Sequence, residues 1–198
     1  ALGWPQASLL GHSLGGAVAT VYAAAAPERV GRLALIEALG PIAGAPGSAL
    51  PRIREALAQR RGVVGGRLRV FPDRMTAVRA RMQANGLSEP AARLLVERGV
   101  APVEGGFTWR SDPRLRLTSP VRADEASVRE WIAGIECPVL LVAAAEAPPY
   151  FTPDLREGRV AALREGRLAV LPGGHHLHME SPGAVAAVLA PFLRGNPG

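Results

Sequence analysis

Residues 8–16 read Ser-Leu-Leu-Gly-His-Ser-Leu-Gly-Gly. The short apolar run Ala7–Leu10 leads into Gly11-His12-Ser13-Leu14-Gly15, and an alanine-rich stretch follows at once. This order predicts a strand, a sharp turn and a helix, with the Ser13 hydroxyl pushed clear of the backbone where it can act as a nucleophile. Glycine at 11 and 15 is expected because a side chain at either place would collide with the neighbouring strand or helix. With 23 glycines in 198 residues, a bare Gly-x-Ser-x-Gly pattern can arise by accident, so its surroundings decide.

Those surroundings agree. Ala7–Leu10 is short and apolar, as a buried parallel strand should be. Residues 16–26 are apolar on nearly every face, which predicts a buried helix that Pro27 ends. Arg32–Ile36, Val139–Ala143 and Leu168–Leu171 are further strand candidates, most of them separated by helical patterns, so an α/β class with a mostly parallel sheet is expected.

The segment from 41 to 135 has a different character. It opens on a Pro/Gly-rich loop and continues as short helices, with Asp73, Ser88 and Asp124 as caps and no evident strand. It is expected to be a helical lid inserted into a core made of residues 1–40 and 136–198. Trp109 and Trp131 fit lid core better than substrate contacts, and Arg110, Asp112 and Arg114 fit an ion network that is solvated or braces the lid.

Composition narrows the partners. The net charge is +6, yet all 23 cations are arginine and acids are interspersed among them, which resembles GC-rich coding more than a stripe for a polyanion. Nucleic acid is therefore not an expected partner. No apolar run approaches the length of a membrane span. Neither a basic n-region nor a long apolar h-region opens the chain. The single cysteine, Cys137, suits a reducing compartment, and a cytoplasmic location is expected.

The carboxyl-terminal stretch supplies a base. Leu168–Leu171 is followed by Gly173-Gly174-His175-His176-Leu177-His178-Met179-Glu180, and Ser181-Pro182 opens a helix. A histidine beyond a strand's carboxyl end, far after the serine, is what an α/β triad needs.

On GHSLGG at 11–16, LIEALGP at 35–41, CPVLLV at 137–142 and GGHHLHMESP at 173–182, the chain resembles the α/β-hydrolases, in particular a serine hydrolase-like branch with a helical cap. The resemblance implies Ser13 as nucleophile and His175 as general base, since His178, Glu180 and Pro182 fit the frame that follows the family's base. It implies Leu14 as an oxyanion N–H donor, with His12 beside it. Glu146, after the third strand candidate, is the preferred third member. Glu37 is the alternative, 24 residues after Ser13 as in the capped haloalkane dehalogenases, and Asp154 is a remote third. Serine at 13 argues against the epoxide hydrolases and dehalogenases of this architecture, which use a carboxylate.

The resemblance also implies strands ahead of the elbow strand, together with the loop carrying a second oxyanion N–H. The chain is thus expected to be an N-terminally truncated, poorly stable form of an enzyme. The expected activity is that of a serine hydrolase on a small ester, thioester or related carbonyl compound, through an acyl-enzyme. The alternative is a catalytically impaired ligand-binding or regulatory module. No cofactor and no metal are expected, because His175, His176 and His178 lack a second ligand group at a recognised spacing. The partner is a small acyl substrate, and the oligomeric state is left open.

Overall fold

Strands that are apolar on both faces need cover on both sides, and helices between them supply it. The structure, a computed structural model, describes residues 3–63 and 69–195; residues 64–68 of the expected lid lie outside the described part. In chain order the elements are β1 (Ala7–His12), α1 (Leu14–Ala25), β2 (Val30–Ile36), α2 (Ala49–Val63), β3 (Val70–Phe71), α3 (Arg74–Asn85), α4 (Glu89–Gly99), β4 (Val100–Val103), β5 (Gly106–Trp109), α5 (Glu125–Ala133), β6 (Val139–Ala144), α6 (Pro153–Val160), β7 (Gly166–Leu171), α7 (Leu177–Glu180) and α8 (Pro182–Arg194). They divide into two units, Ala1–Ala45 with Arg122–Gly198, and Pro46–Val121. The second unit follows β2 in sequence and precedes α5.

The first unit holds a four-stranded sheet in the order β1-β2-β6-β7, every pair parallel. Alternation along its strands sorts the core into two layers. Leu33, Leu35, Val139, Leu141 and Ala143 face α1 and α5, where they meet Ala23, Val128, Ile132 and Ile135. Ala34, Ile36, Leu140, Val142 and Ala144 face the other way, onto Leu177 of α7 and the stripe Val185, Leu189 and Phe192 of α8. Trp131 packs against the first of these layers, inside the sheet unit. Ser181 stands at the N-cap of α8 without a side-chain capping bond, and Pro182 opens the helix.

The helix α1 departs from expectation. Only Gly16, Thr20 and Ala23 are buried, while Val18 is 61% exposed and Leu14 64%. An alanine-rich helix is apolar all round without needing cover on every side, so composition overstated its burial.

In the second unit the capping residues act as expected. The Asp73 carboxylate accepts from the Thr76 N–H at 2.7 Å, and the Ser88 hydroxyl from the Ala91 N–H at 3.4 Å. Asp124 caps α5 in the first unit, through the Ser127 N–H at 2.8 Å. The unit is not purely helical, however. It contains a three-stranded antiparallel sheet in the order β3-β5-β4. These strands are two to four residues long and β4 contains Pro102, too short and too interrupted to show alternation. Trp109 of β5 packs edge-on to Phe71, with the Arg81 guanidinium 4.6 Å from its ring centre. Asp112 and Arg114 form an exposed ion pair, and Arg110 donates to the Val100 carbonyl.

Among the described residues no helix is long and apolar enough to cross a membrane. The free cysteine, Cys137, is buried.

Two glycines of the elbow differ sharply. A Cβ at Gly11 would lie 2.6 Å from the Gly15 carbonyl oxygen and 2.7 Å from the Gly16 Cα, both backbone atoms. A Cβ at Gly16 would sit 3.1 Å from that of Ala38, whereas one at Gly15 meets nothing within 4 Å. The expected collision at Gly15 is therefore absent; Gly16 is the second tight position. We predict that Gly11→Ala costs about 1–3 kcal/mol of unfolding free energy. Gly15→Ala should be neutral or stabilising by up to about 1 kcal/mol, because alanine favours a helix. Urea denaturation of both variants measures the contrast.

A buried cation gives a second test. Arg159 is 2% exposed and donates to Glu125 at 2.6 Å and to the Leu39 carbonyl at 2.6 Å. The Arg159 hydrogen bond holds the Glu125 carboxyl below its ordinary value. The unfolded chain then binds more protons in the window between the two values. The stabilisation is complete above the ordinary glutamate range and is lost as pH falls through the folded value. Glu125→Gln should cost about 1–3 kcal/mol at pH 7, and its deficit against the parent chain should shrink as pH drops below about 4.5, read from denaturation midpoints across pH.

Candidate active site

Four of the groups picked out from sequence sit at the carboxyl ends of parallel strands, where open α/β sheets place ligands. Ser13 follows β1, Glu37 follows β2, Glu146 follows β6 and His175 follows β7. Ser13 has φ 51° and ψ −117°, and its N–H donates to the Ile36 carbonyl at 3.0 Å. Glu37 has φ 56°, and its N–H donates to the Val142 carbonyl at 3.0 Å. Among the described residues these are the two non-glycine positions with positive φ. Such backbone costs of order 1–3 kcal/mol per residue and persists only where the surroundings fix it.

The side chains converge in a line. The Ser13 Oγ lies 2.9 Å from His175 Nε2, and His175 Nδ1 lies 3.3 Å from Glu37 Oε2. Glu37 is also held from its other oxygen. Its Oε1 accepts from the Ala144 N–H at 2.7 Å and from the Arg156 guanidinium at 3.2 Å. Arg156 in turn donates to the Ala144 carbonyl and lies over the Phe151 ring. The Glu37 side chain is fully buried and that of Arg156 is 2% exposed. Burial pushes the Glu37 carboxyl up, but the bonds from His175 and the Ala144 N–H, with the Arg156 charge, outweigh it and leave the group below its ordinary value. It is an ionised carboxylate set behind an imidazole.

Glu146, preferred from sequence, is not the group on His175. Its side chain is exposed, and its backbone N–H donates to the Gly173 carbonyl at 3.1 Å, holding the loop that carries His175. Asp154 lies exposed in the first turn of α6. The strand ending in Ala143-Ala144-Ala145 therefore supplies a backbone N–H to the Glu37 carboxylate and not a carboxylate of its own. Arg156 escaped sequence reading because nothing in Asp-Leu-Arg-Glu-Gly-Arg marks one arginine as buried.

His12 turns its ring toward the C-terminal loop, with Nε2 2.9 Å from the His175 carbonyl oxygen. Its ring centre lies 4.1 Å from that of His178 and 5.5 Å from that of His176. Burial lowers the affinity of both His12 and His178 for a proton, and neighbouring imidazoles add to this at His178, which falls to about 4. Leu14 begins α1, where the first N–H groups of a helix have no intrahelical acceptor and can face an anion.

Comparison with known proteins agrees with this architecture. The family model described as the alpha/beta hydrolase family matches residues 2–188. A serine hydrolase-like protein of Dictyostelium discoideum is 28% identical over 206 residues, covering 98% of this chain and 57% of its own length. The chain thus spans a little over half of that relative. The crystal structure of a hypothetical protein from Pseudomonas aeruginosa PAO1 superposes with a TM-score of 0.87 at 42% identity, covering 98% of this chain and 69% of that one. A thioesterase domain from the curacin biosynthetic pathway superposes with a TM-score of 0.77 at 25% identity, covering 94% of this chain and 67% of that one. A strand–serine–helix elbow, a parallel sheet and a family match over nearly its whole length place this chain in the alpha/beta hydrolase family, on the serine hydrolase-like branch.

Proposed function

We propose that the protein is a serine hydrolase that cleaves a small ester, thioester or related carbonyl compound through an acyl-enzyme. One observation carries this reading: Ser13 Oγ at 2.9 Å from His175 Nε2, with a buried carboxylate on the far ring nitrogen. A serine hydroxyl is a weak nucleophile until a base takes its proton as the bond to carbon forms. His175 Nε2 is placed to accept that proton and return it to the leaving group. The Glu37 carboxylate holds Nδ1–H, fixes the tautomer and stabilises the imidazolium. The Leu14 N–H, at the start of α1, faces the developing oxyanion. Water then repeats the sequence on the acyl-serine.

In this reading the unit that follows β2 in sequence is the cap that the resemblance implies. A small acyl compound is the partner. The buried free cysteine supports a cytoplasmic setting.

A fluorophosphonate probe should label the protein at Ser13, and Ser13→Ala should abolish the label; ligand binding without labelling would return the chain to the alternative of a non-catalytic binding module. Glu37→Gln should lower kcat on an activated ester by about 10²–10⁴-fold, the range for losing the carboxylate behind a catalytic histidine. Glu146→Gln should stay within about twofold of the parent. Far-UV circular dichroism of Glu37→Gln separates a catalytic loss from unfolding, and the opposite ranking of the two variants would move the acid back to Glu146.

A further inference from the structure

Three imidazoles outside the Ser13–His175–Glu37 line meet beside it. His12 comes from the end of β1, and His176 and His178 come from the loop and short helix after β7. One ligand nitrogen from each lies within 4.8 Å of the other two, and all three residues are half-buried. A carbonyl oxygen only accepts, so His12 Nε2 carries the hydrogen of its bond to the His175 carbonyl. The lone pair of His12 is then on Nδ1. An imidazole fixed by a carbonyl on its far nitrogen is the usual second-sphere support of a metal-bound histidine. His178 Nδ1 is buried and has no hydrogen-bond partner, which calls for a physical reason.

We propose that His12, His176 and His178 bind one divalent transition-metal ion of the class that takes imidazole nitrogen, with Zn²⁺ as the reference. The donor set selects the ion: imidazole suits Zn²⁺, Cu²⁺ and Ni²⁺, while Mg²⁺ and Ca²⁺ require oxygen. Nitrogens at about 2.0–2.1 Å from a tetrahedral ion stand about 3.4 Å apart. Closing the three rings from within 4.8 Å therefore takes side-chain rotation, not a change of fold. Three protein ligands leave a fourth position for water.

The test titrates Zn²⁺ alone into the chelator-stripped full chain by calorimetry, and Co²⁺ by visible absorption. One ion per chain is expected, with d–d bands of a nitrogen-ligated site. Ser13→Ala should bind it equally well. His176→Asn and His178→Asn should each weaken binding at least about tenfold. Zn²⁺ should raise the melting temperature of the parent chain and not that of the double variant, whose circular dichroism shows whether it has folded. Absence of saturable binding, or an affinity unchanged in the double variant, would overturn the site.

Discussion

A carboxylate with no access to water must be satisfied from every side or it will not stay charged, and Glu37 is such a group. Its two oxygens receive the Ala144 N–H, the Arg156 guanidinium and the ring of His175. Those partners come from the end of β6, from α6 and from the loop after β7, so one buried charge draws four parts of the sheet unit to a point. Removing one partner of such a set strands the others; replacing all of them by apolar groups would be cheaper for stability. That a charge is kept there is a reason to look for its use at the imidazole in front of it.

The same helix supplies a second buried cation. Arg156 and Arg159 are three residues apart in α6, hence on one face, and both reach the segment that follows β2. Arg156 meets Glu37 and Arg159 meets the Leu39 carbonyl. A lysine in either place could shed its proton when buried; arginine cannot, and its fork reaches two acceptors at once. Both therefore demand fixed partners, which stiffens the turn that carries Glu37.

Much of this was legible in the chain itself. Four apolar runs gave the four parallel strands; β2 and β6 are buried as expected, whereas β1 and β7 are partly exposed, with Leu10 and Val170 each 55% exposed. The meeting of Ser13 and His175 was legible because Gly-His-Ser-Leu-Gly and Gly-Gly-His-His are local. The acid was not. Glu37 and Glu146 both follow a strand and both lie between Ser13 and His175, so only three-dimensional packing distinguishes them. The small sheet of the second unit was hidden by strands of two to four residues. The histidine cluster was hidden because His12 stands 164 positions before His176 (176 − 12) and meets it only through the sheet.

The strand order explains why so much is invested in one loop. β7 is three strands from β1, which at about 4.8 Å per strand is roughly 14 Å. His175 leaves β7 and must return over the ends of β6 and β2 to reach Ser13. Three bonds hold that crossing: the Glu146 N–H on the Gly173 carbonyl, the Leu177 N–H on the Gly174 carbonyl, and His12 on the carbonyl of His175 itself. Glu146 thus works through its backbone where a carboxylate role was expected. His12, next to Ser13 in sequence, holds the backbone of His175. Ser13 and His175 cannot drift apart without breaking that bond, and the spacing between hydroxyl and imidazole is set twice, once through side chains and once through the main chain.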